Sequence, residues 1–272
     1  MVLTALTGLH GLVGSVVATH VPGPLLSADD LAYQAMARTL AGDGAAPLGS
    51  QPPYGVLYPV LLAPGWLLGL DEPGTLVWAR VVNAVAGALL VPVLYFLVRR
   101  LTDASAPMAL VVAVVGATLP AHMVTGSIVW TERLLALLMA GSILALCRLA
   151  ERRSLDRALV VAGLVVALYA THPRMGVAAV VVLAAAVWLT LGSKGPALAA
   201  VTAGATGIAL AEWARRTLSD SAFGDTGLYD VGDLASRRDL GDVPDMVMRA
   251  GGTIAYVVLA TAGLAVIGLV ML

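Results

Sequence analysis

Uncharged apolar runs recur from Val2 almost to the last residue of this chain, and they dictate what it can fold into. Crossing a hydrocarbon layer of about 30 Å takes about 20 residues in helical form. That layer holds no water to bond the backbone, so each segment has to satisfy its own N–H and C=O groups, as a helix does. Composition agrees: 59% of the 272 residues are hydrophobic and 12% are charged, with mean hydropathy +0.90, whereas a soluble domain carries about 25% charged residues. The expected fold class is an all-α polytopic membrane protein. With two Phe among many Ala, Val, Leu and Gly, its helix contacts should rely on small residues that let backbones approach. A net charge of −1 says little about partners, and no nucleic acid is expected among them. The lone cysteine, Cys147, leaves no internal disulfide and no cysteine-built metal cluster, and within its apolar run it reads as packing.

Eight runs read as spans, near residues 2–19, 80–98, 107–121, 127–147, 158–171, 175–192, 196–213 and 247–270, the third, fifth and seventh being short. The stretch Tyr54 to Leu70 is also apolar, but Pro59 and Pro64 interrupt it, and Tyr54, Tyr58 and Trp66 are residue types that favour the membrane interface. It reads as re-entrant or interfacial, with a full span as the alternative. Arg99 and Arg100, then Arg148, Arg152, Arg153 and Arg157, then Lys194 occupy three short connections that share one face if the N-terminus is cytoplasmic. The opposite face then receives two long outer segments, 20–79 and 214–246, and short turns near 122–126 and 172–174. Of the 17 acidic residues, only Asp103, Glu151 and Asp156 fall on the basic face. Residues 1–20 hold no Lys or Arg and no small-x-small cleavage site precedes Asp29, so the first span reads as uncleaved. The chain stops inside the apolar run Ile254 to Leu272, which suits either an unusually small member of its class or the front part of something longer. A single transmembrane domain over 1–272 is expected.

The acidic pair Asp29 and Asp30 opens the first outer segment. Asp29 to Ala41 reads as a short interfacial helix with Leu31, Ala35 and Met36 turned to lipid or protein, Ser27 as its N-cap, and the two carboxylates suiting the helix dipole in its first turn. Capping and solubility alone would account for the pair, but a loop this long in a compact membrane protein is more often functional than idle.

These residues carry a resemblance. Asp29-Asp30-Leu31-Ala32-Tyr33, then Ala37 and Gly42, then Tyr58-Pro59-Val60-Leu61-Leu62-Ala63-Pro64, then Arg80-Val81-Val82-Asn83, resemble the first outer loop and second span of GT-C glycosyltransferases, of the protein mannosyltransferase and aminoarabinose transferase-like kind. Pro120 ending the third span, Thr131-Glu132-Arg133-Leu134 opening the fourth and Thr171-His172-Pro173-Arg174 between the fifth and sixth extend it over about residues 25–190. Asp30 stands where the family pattern has Glu, and the family has more spans, so the resemblance implies a truncated or minimal member whose outer cavity a partner chain or second copy would complete. It implies a plasma-membrane enzyme moving a sugar from a polyprenyl-phosphate donor to an extracytoplasmic glycan, lipid or protein acceptor, with membrane lipids around it.

Such a transfer needs a carboxylate to take the acceptor's proton and cations to stabilise the departing phosphate. Asp29 matches the family's catalytic aspartate. Asp30 is the second catalytic candidate, its other roles being to hold a neighbouring arginine or a divalent cation; no His/Cys/Asp cluster has recognisable metal-ligand spacing. Tyr33 and Tyr58 belong to the substrate-binding set through the same motifs. Glu132, in the first turn of an apolar helix, is a functional candidate by its position, or an interfacial Glu paired with Arg133. Arg174 and Arg80 are candidates to grip the donor phosphate, or interfacial arginines. His172 joins them or simply serves the turn at Pro173, while His10, His20 and His122 read as ordinary interfacial or packing residues. The segment Glu212 to Asp245, with Arg215-Arg216, Arg237-Arg238 and several glycines, reads as a solvated loop or a lid. Gly204, Gly207, Gly251 and Gly252 read as helix-contact positions. A non-catalytic GT-C-like module that binds lipid or assembles with a partner is the alternative function. A lipid or solute transporter stands behind it, because the charges cluster at helix ends and not at mid-bilayer.

Overall fold

A computed structural model describes residues 2–20, 28–42, 54–119, 122 and 128–223. Among them the fold is all helix: α1 Val2–His20, α2 Ala28–Leu40, α3 Leu57–Leu67, α4 Glu72–Leu101, α5 Ala106–Ala117, α6 Glu132–Glu151, α7 Leu155–Thr171, a single 3-10 turn at Pro173–Met175, α8 Gly176–Thr190 and α9 Lys194–Phe223. Four segments are long and apolar enough to cross a membrane: α4, α6, Pro173–Thr190 and Lys194–Ala222. The helices α1 and α5 fall short on apolar length, as does α3. Seven of the eight expected spans thus coincide with helices, four of them at spanning length, while Pro120, Ser27, the glycines from Gly224 onward and the run 247–270 lie outside the described residues. Leu9 and Leu12 of α1 and Val177, Val180, Val181 and Trp188 of α8 are exposed, as lipid-facing side chains would be.

The helix of the second expected span begins earlier than its apolar run. Asp71 accepts the Gly74 N–H at 2.8 Å and Pro73 sits in the first turn, so α4 starts at Glu72. The helix ends on Arg99 and Arg100, cations that suit its negative pole. By contrast, α3 is too short to span: 11 residues reach only about 16 Å. Its end is set at Gly69, whose φ of 69° is the left-handed conformation, with the Gly69 N–H donating to the Trp66 carbonyl and the Leu70 N–H to the Gly65 carbonyl.

Three apolar clusters tie the helices together. Tyr33, Met36, Tyr54, Tyr58, Leu62, Ala79, Val129, Leu134 and Leu218 join α2, α3, α4, α6 and α9 at one end. Leu149, Val161, Val165, Val182 and Ala200 pack α6 to α9 together, and Leu90, Val91, Ala113 and Ala140 join α4, α5 and α6. The helix expected from Asp29 to Ala41 is present as α2; its buried face is Ala32, Tyr33, Ala35, Met36 and Ala37, while Leu31 is exposed. Gly204 and Gly207 do face neighbouring helices, at Leu183 and Val166.

The last helix overturns one expectation. Instead of leaving the helix near residue 213, the chain stays helical to Phe223, because Glu212 accepts from Arg215 at 2.6 and 2.8 Å and from Arg216 at 2.8 Å, the spacings at which oppositely charged side chains meet on a helix face. Tyr169 of α7 adds a fourth bond to the same carboxylate at 2.9 Å. The substitution Glu212→Gln should weaken this knot by about 1 kcal/mol, read as roughly five-fold faster amide exchange over residues 213–223. Unchanged exchange there would show that the helix is held by packing alone.

Candidate functional site

Consecutive residues on a helix point about 100° apart, and this divides the labour of the acidic pair. Asp30 turns inward: it is 2% exposed, accepts the backbone N–H of Val129 at 3.0 Å and is attracted by Arg80, itself buried. Asp29 is half-buried and accepts the Tyr54 hydroxyl at 2.7 Å. Between them Tyr33 sets its ring edge-on to both Tyr54 and Tyr58, at centroid distances of 4.8 and 5.1 Å. Its hydroxyl bonds to Thr131. Tyr58 donates to Asn83 Oδ1 at 3.1 Å, and Asn83 Nδ2 donates to the Ile128 carbonyl at 2.8 Å. The result is a buried polar layer with its groups partnered, resting on α2, α3, α4 and the entry to α6.

The second half of the site comes from the end of α7. Proline disfavours helical backbone in the residue before it, so His172, ahead of Pro173, adopts φ −156° and ψ 123° and α7 stops. Its ring, 7% exposed, stands edge-on to Tyr54 at 6.5 Å. The Arg174 guanidinium lies along that ring, with Nη2 and Nε at 2.9 and 3.1 Å from Nε2, while the Arg174 amide is 3.2 Å from Nδ1. A neutral imidazole has one acceptor nitrogen, so the ring serves one of these donors at a time. Burial, reinforced by the Arg174 charge, pulls the His172 pKa down to about 4. Burial also holds the Tyr33 and Tyr54 hydroxyls well above the ordinary phenol range, the Asp29 hydrogen bond adding to this for Tyr54. Both tyrosines are therefore neutral donors at physiological pH.

Asp29, Glu132 and Arg174 are close enough to act electrostatically on Tyr33 together, and Arg174 and Asp29 act on Glu132 and on His172. The structure thus brings Asp29, Tyr33, Glu132, His172 and Arg174 to one place, with Arg174 exposed at its edge. Asp30, Tyr58 and Arg80 form the buried layer beside it. Glu132 Oε2 is buried without a hydrogen-bond partner among the described residues. Its neighbour Arg133 does not pair with it: that guanidinium lies against Gly87 and donates to the backbone carbonyls of His122 and Asn83. Among the described residues no three His, Cys, Asp or Glu side chains group as metal ligands.

Tyr54 is a site residue that the sequence reading treats only as interface-loving. The signal was the following glycine. A Cβ on Gly55 would collide with the carbonyl oxygens of Ala170 and Thr171, so this backbone is laid directly on the end of α7, which brings Tyr54 beside His172. A carboxylate held by a phenol, a neutral imidazole and an exposed guanidinium together suit proton acceptance next to a bound anion. Compared with family models, curated proteins and solved structures, the chain matches none.

Gly55→Ala should push Tyr54 off α7 and lower the stability of the folded protein by at least about 2 kcal/mol, measured as a fall in the denaturation midpoint in detergent; a wild-type midpoint would contradict the close approach. His172 supplies a pH test. Its folded pKa lies below the ordinary 6.5, so as pH falls the unfolded chain takes the proton first, and the stability this group contributes is full above pH 6.5 and lost progressively down to about pH 4. Removing it as His172→Gln should flatten the stability profile between those values by on the order of 2 kcal/mol. An unchanged slope would mean that His172 titrates as in solution.

Proposed function

We propose that this chain is a GT-C-type membrane glycosyltransferase, moving a sugar from a polyprenyl-phosphate donor to an acceptor hydroxyl on the extracytoplasmic side of the plasma membrane. The observation that carries the reading is the run of contacts from Asp29, on the first outer segment, through Tyr54 and His172 to Arg174, after α7, at one end of the helices. The basic residues Arg99, Arg100, Arg148, Arg152, Arg153 and Arg157 sit at the far ends of α4, α6 and α7; basic loops tend to stay cytoplasmic, which supports a site on the outer face.

In the proposed reaction the acceptor oxygen bonds to the anomeric carbon while the carbon–oxygen bond to phosphate breaks, its electron pair leaving with the phosphate. Asp29 takes the hydroxyl proton, held in place by Tyr54. Arg174, lying along the neutral His172 ring, stabilises the charge on the leaving phosphate. Glu132 Oε2, buried and unpaired, is placed to accept a hydroxyl of the sugar. Asp30 and Arg80 position the others by holding α2 to α4. A lipid-binding module without catalysis is the second reading, favoured by one fact: the Tyr54 hydroxyl already occupies one oxygen of Asp29.

Replacing Asp29 by Asn removes the proton acceptor with almost no change in shape. With labelled polyprenyl-phosphate sugars and membrane extract as acceptor, Asp29→Asn should slow transfer by about 10²- to 10⁴-fold while binding of the donor persists. Asp30→Asn should reduce the yield of folded protein, because it leaves the buried Arg80 without its countercharge, yet spare transfer by the folded fraction. Donor binding without transfer in the wild type selects the second reading, and wild-type rates in Asp29→Asn reject the assigned base.

A further inference from the structure

A second charged cluster lies at the opposite ends of the same helices. Along α4, Arg80 and Arg99 are separated by about 28 Å of helix rise. Around Arg99 a cavity of about 780 Å³ opens between α4, α6 and α7. Its apolar wall includes Phe96, Leu144, Val160 and Leu164, and its rim carries Arg99, Arg100, Arg148 and Arg157 against Glu151 and Asp156. Glu151 is committed to Arg100 and, at 3.7 Å, to Arg157. Arg99 spends one N–H on the Ala104 carbonyl at 3.0 Å. The Arg148 side chain makes no hydrogen bond or ion pair among the described residues and is exposed.

We propose that this cleft is a binding site for an anionic phospholipid of the cytoplasmic leaflet, its phosphate held by Arg99 and Arg148 and an acyl chain laid along Phe96, Val160 and Leu164. Three features select that ligand. The excess of guanidinium over carboxylate calls for an anion, and Arg matches phosphate oxygens with two parallel N–H groups. The apolar wall continues from the arginine rim toward the middle of the helices, so it suits a ligand whose charge and hydrocarbon are joined, as a soluble phosphate is not. Finally, Val160 is 56% exposed and Phe96 45%, so the groove is reached sideways from the hydrocarbon, where lipids are. Basic pockets between spanning helices near the cytoplasmic surface hold anionic headgroups in this manner. The site does not depend on the activity proposed for the other end.

The full chain, delipidated in detergent, is returned to nanodiscs of phosphatidylcholine with phosphatidylglycerol, and retained lipids are counted by native mass spectrometry after gentle release. Phosphatidylglycerol should be retained in preference to phosphatidylcholine, and the double variant Arg99→Ala, Arg148→Ala should lower that preference by roughly five-fold for each arginine. A second variant, Val160→Trp, fills the groove at an exposed position and leaves all four arginines; it should also lose the preference, and it carries the test should the double variant not fold. Glycerol 3-phosphate at millimolar concentration should not displace the lipid. Equal retention of the two lipids, an undiminished preference in the variant that folds, or displacement by glycerol 3-phosphate would each overturn the proposal.

Discussion

The arrangement at the Asp29 end of the helices depends on one buried charge. A carboxylate as enclosed as Asp30 is costly to strip of water unless it is bonded and paired. Its bond from the Val129 N–H and its attraction to Arg80 link α2 to the entry of α6 and to α4. Residues thus linked are distant in sequence, so the pairing selects one docking of α2 out of the many that an apolar face alone would permit. With Asp30 turned inward, the helical step from one residue to the next presents Asp29 toward Tyr54 and the end of α7. The pair is one device, with one member fixing the frame and the other left partly open.

What could be read from the sequence follows the range of the interactions involved. The helices were legible because lipid imposes a local, additive demand on every residue of a run; the described helices overlap seven of the eight expected spans, four of them at spanning length. The start of α4 at Glu72 was not, since it hangs on one cap, Asp71, in a stretch of mixed polarity. The extension of α9 to Phe223 escaped because paired arginines and aspartates look like a solvated loop until Glu212 is seen to gather Arg215, Arg216 and Tyr169. At the site, motif residues Asp29, Tyr33, Glu132, His172 and Arg174 were legible individually; their convergence was not. It rests on Gly55 lying against α7, a contact between positions more than a hundred residues apart.

The two ends of the helices use charge differently. At the Asp29 end the charged groups are few, partly buried and locked to aromatic neighbours, so their geometry is set in advance. At the opposite end arginines ring an open cleft on long, exposed side chains. Where the middles of the helices meet one another, small residues let the backbones approach, as in the Gly204 and Gly207 contacts with α8 and α7. Charge is therefore kept out of the span and concentrated where water or a headgroup can reach it.

On the proposed function, the donor phosphate binds beside Asp29 and Arg174. The most direct test is a structure of the full chain in lipid with a polyprenyl phosphate bound. The phosphate is expected within hydrogen-bonding distance of the Arg174 guanidinium, with its ester oxygen on the side facing Asp29. A phosphate seated instead in the arginine-rimmed cleft between α4, α6 and α7, with the Asp29 end empty, would contradict it.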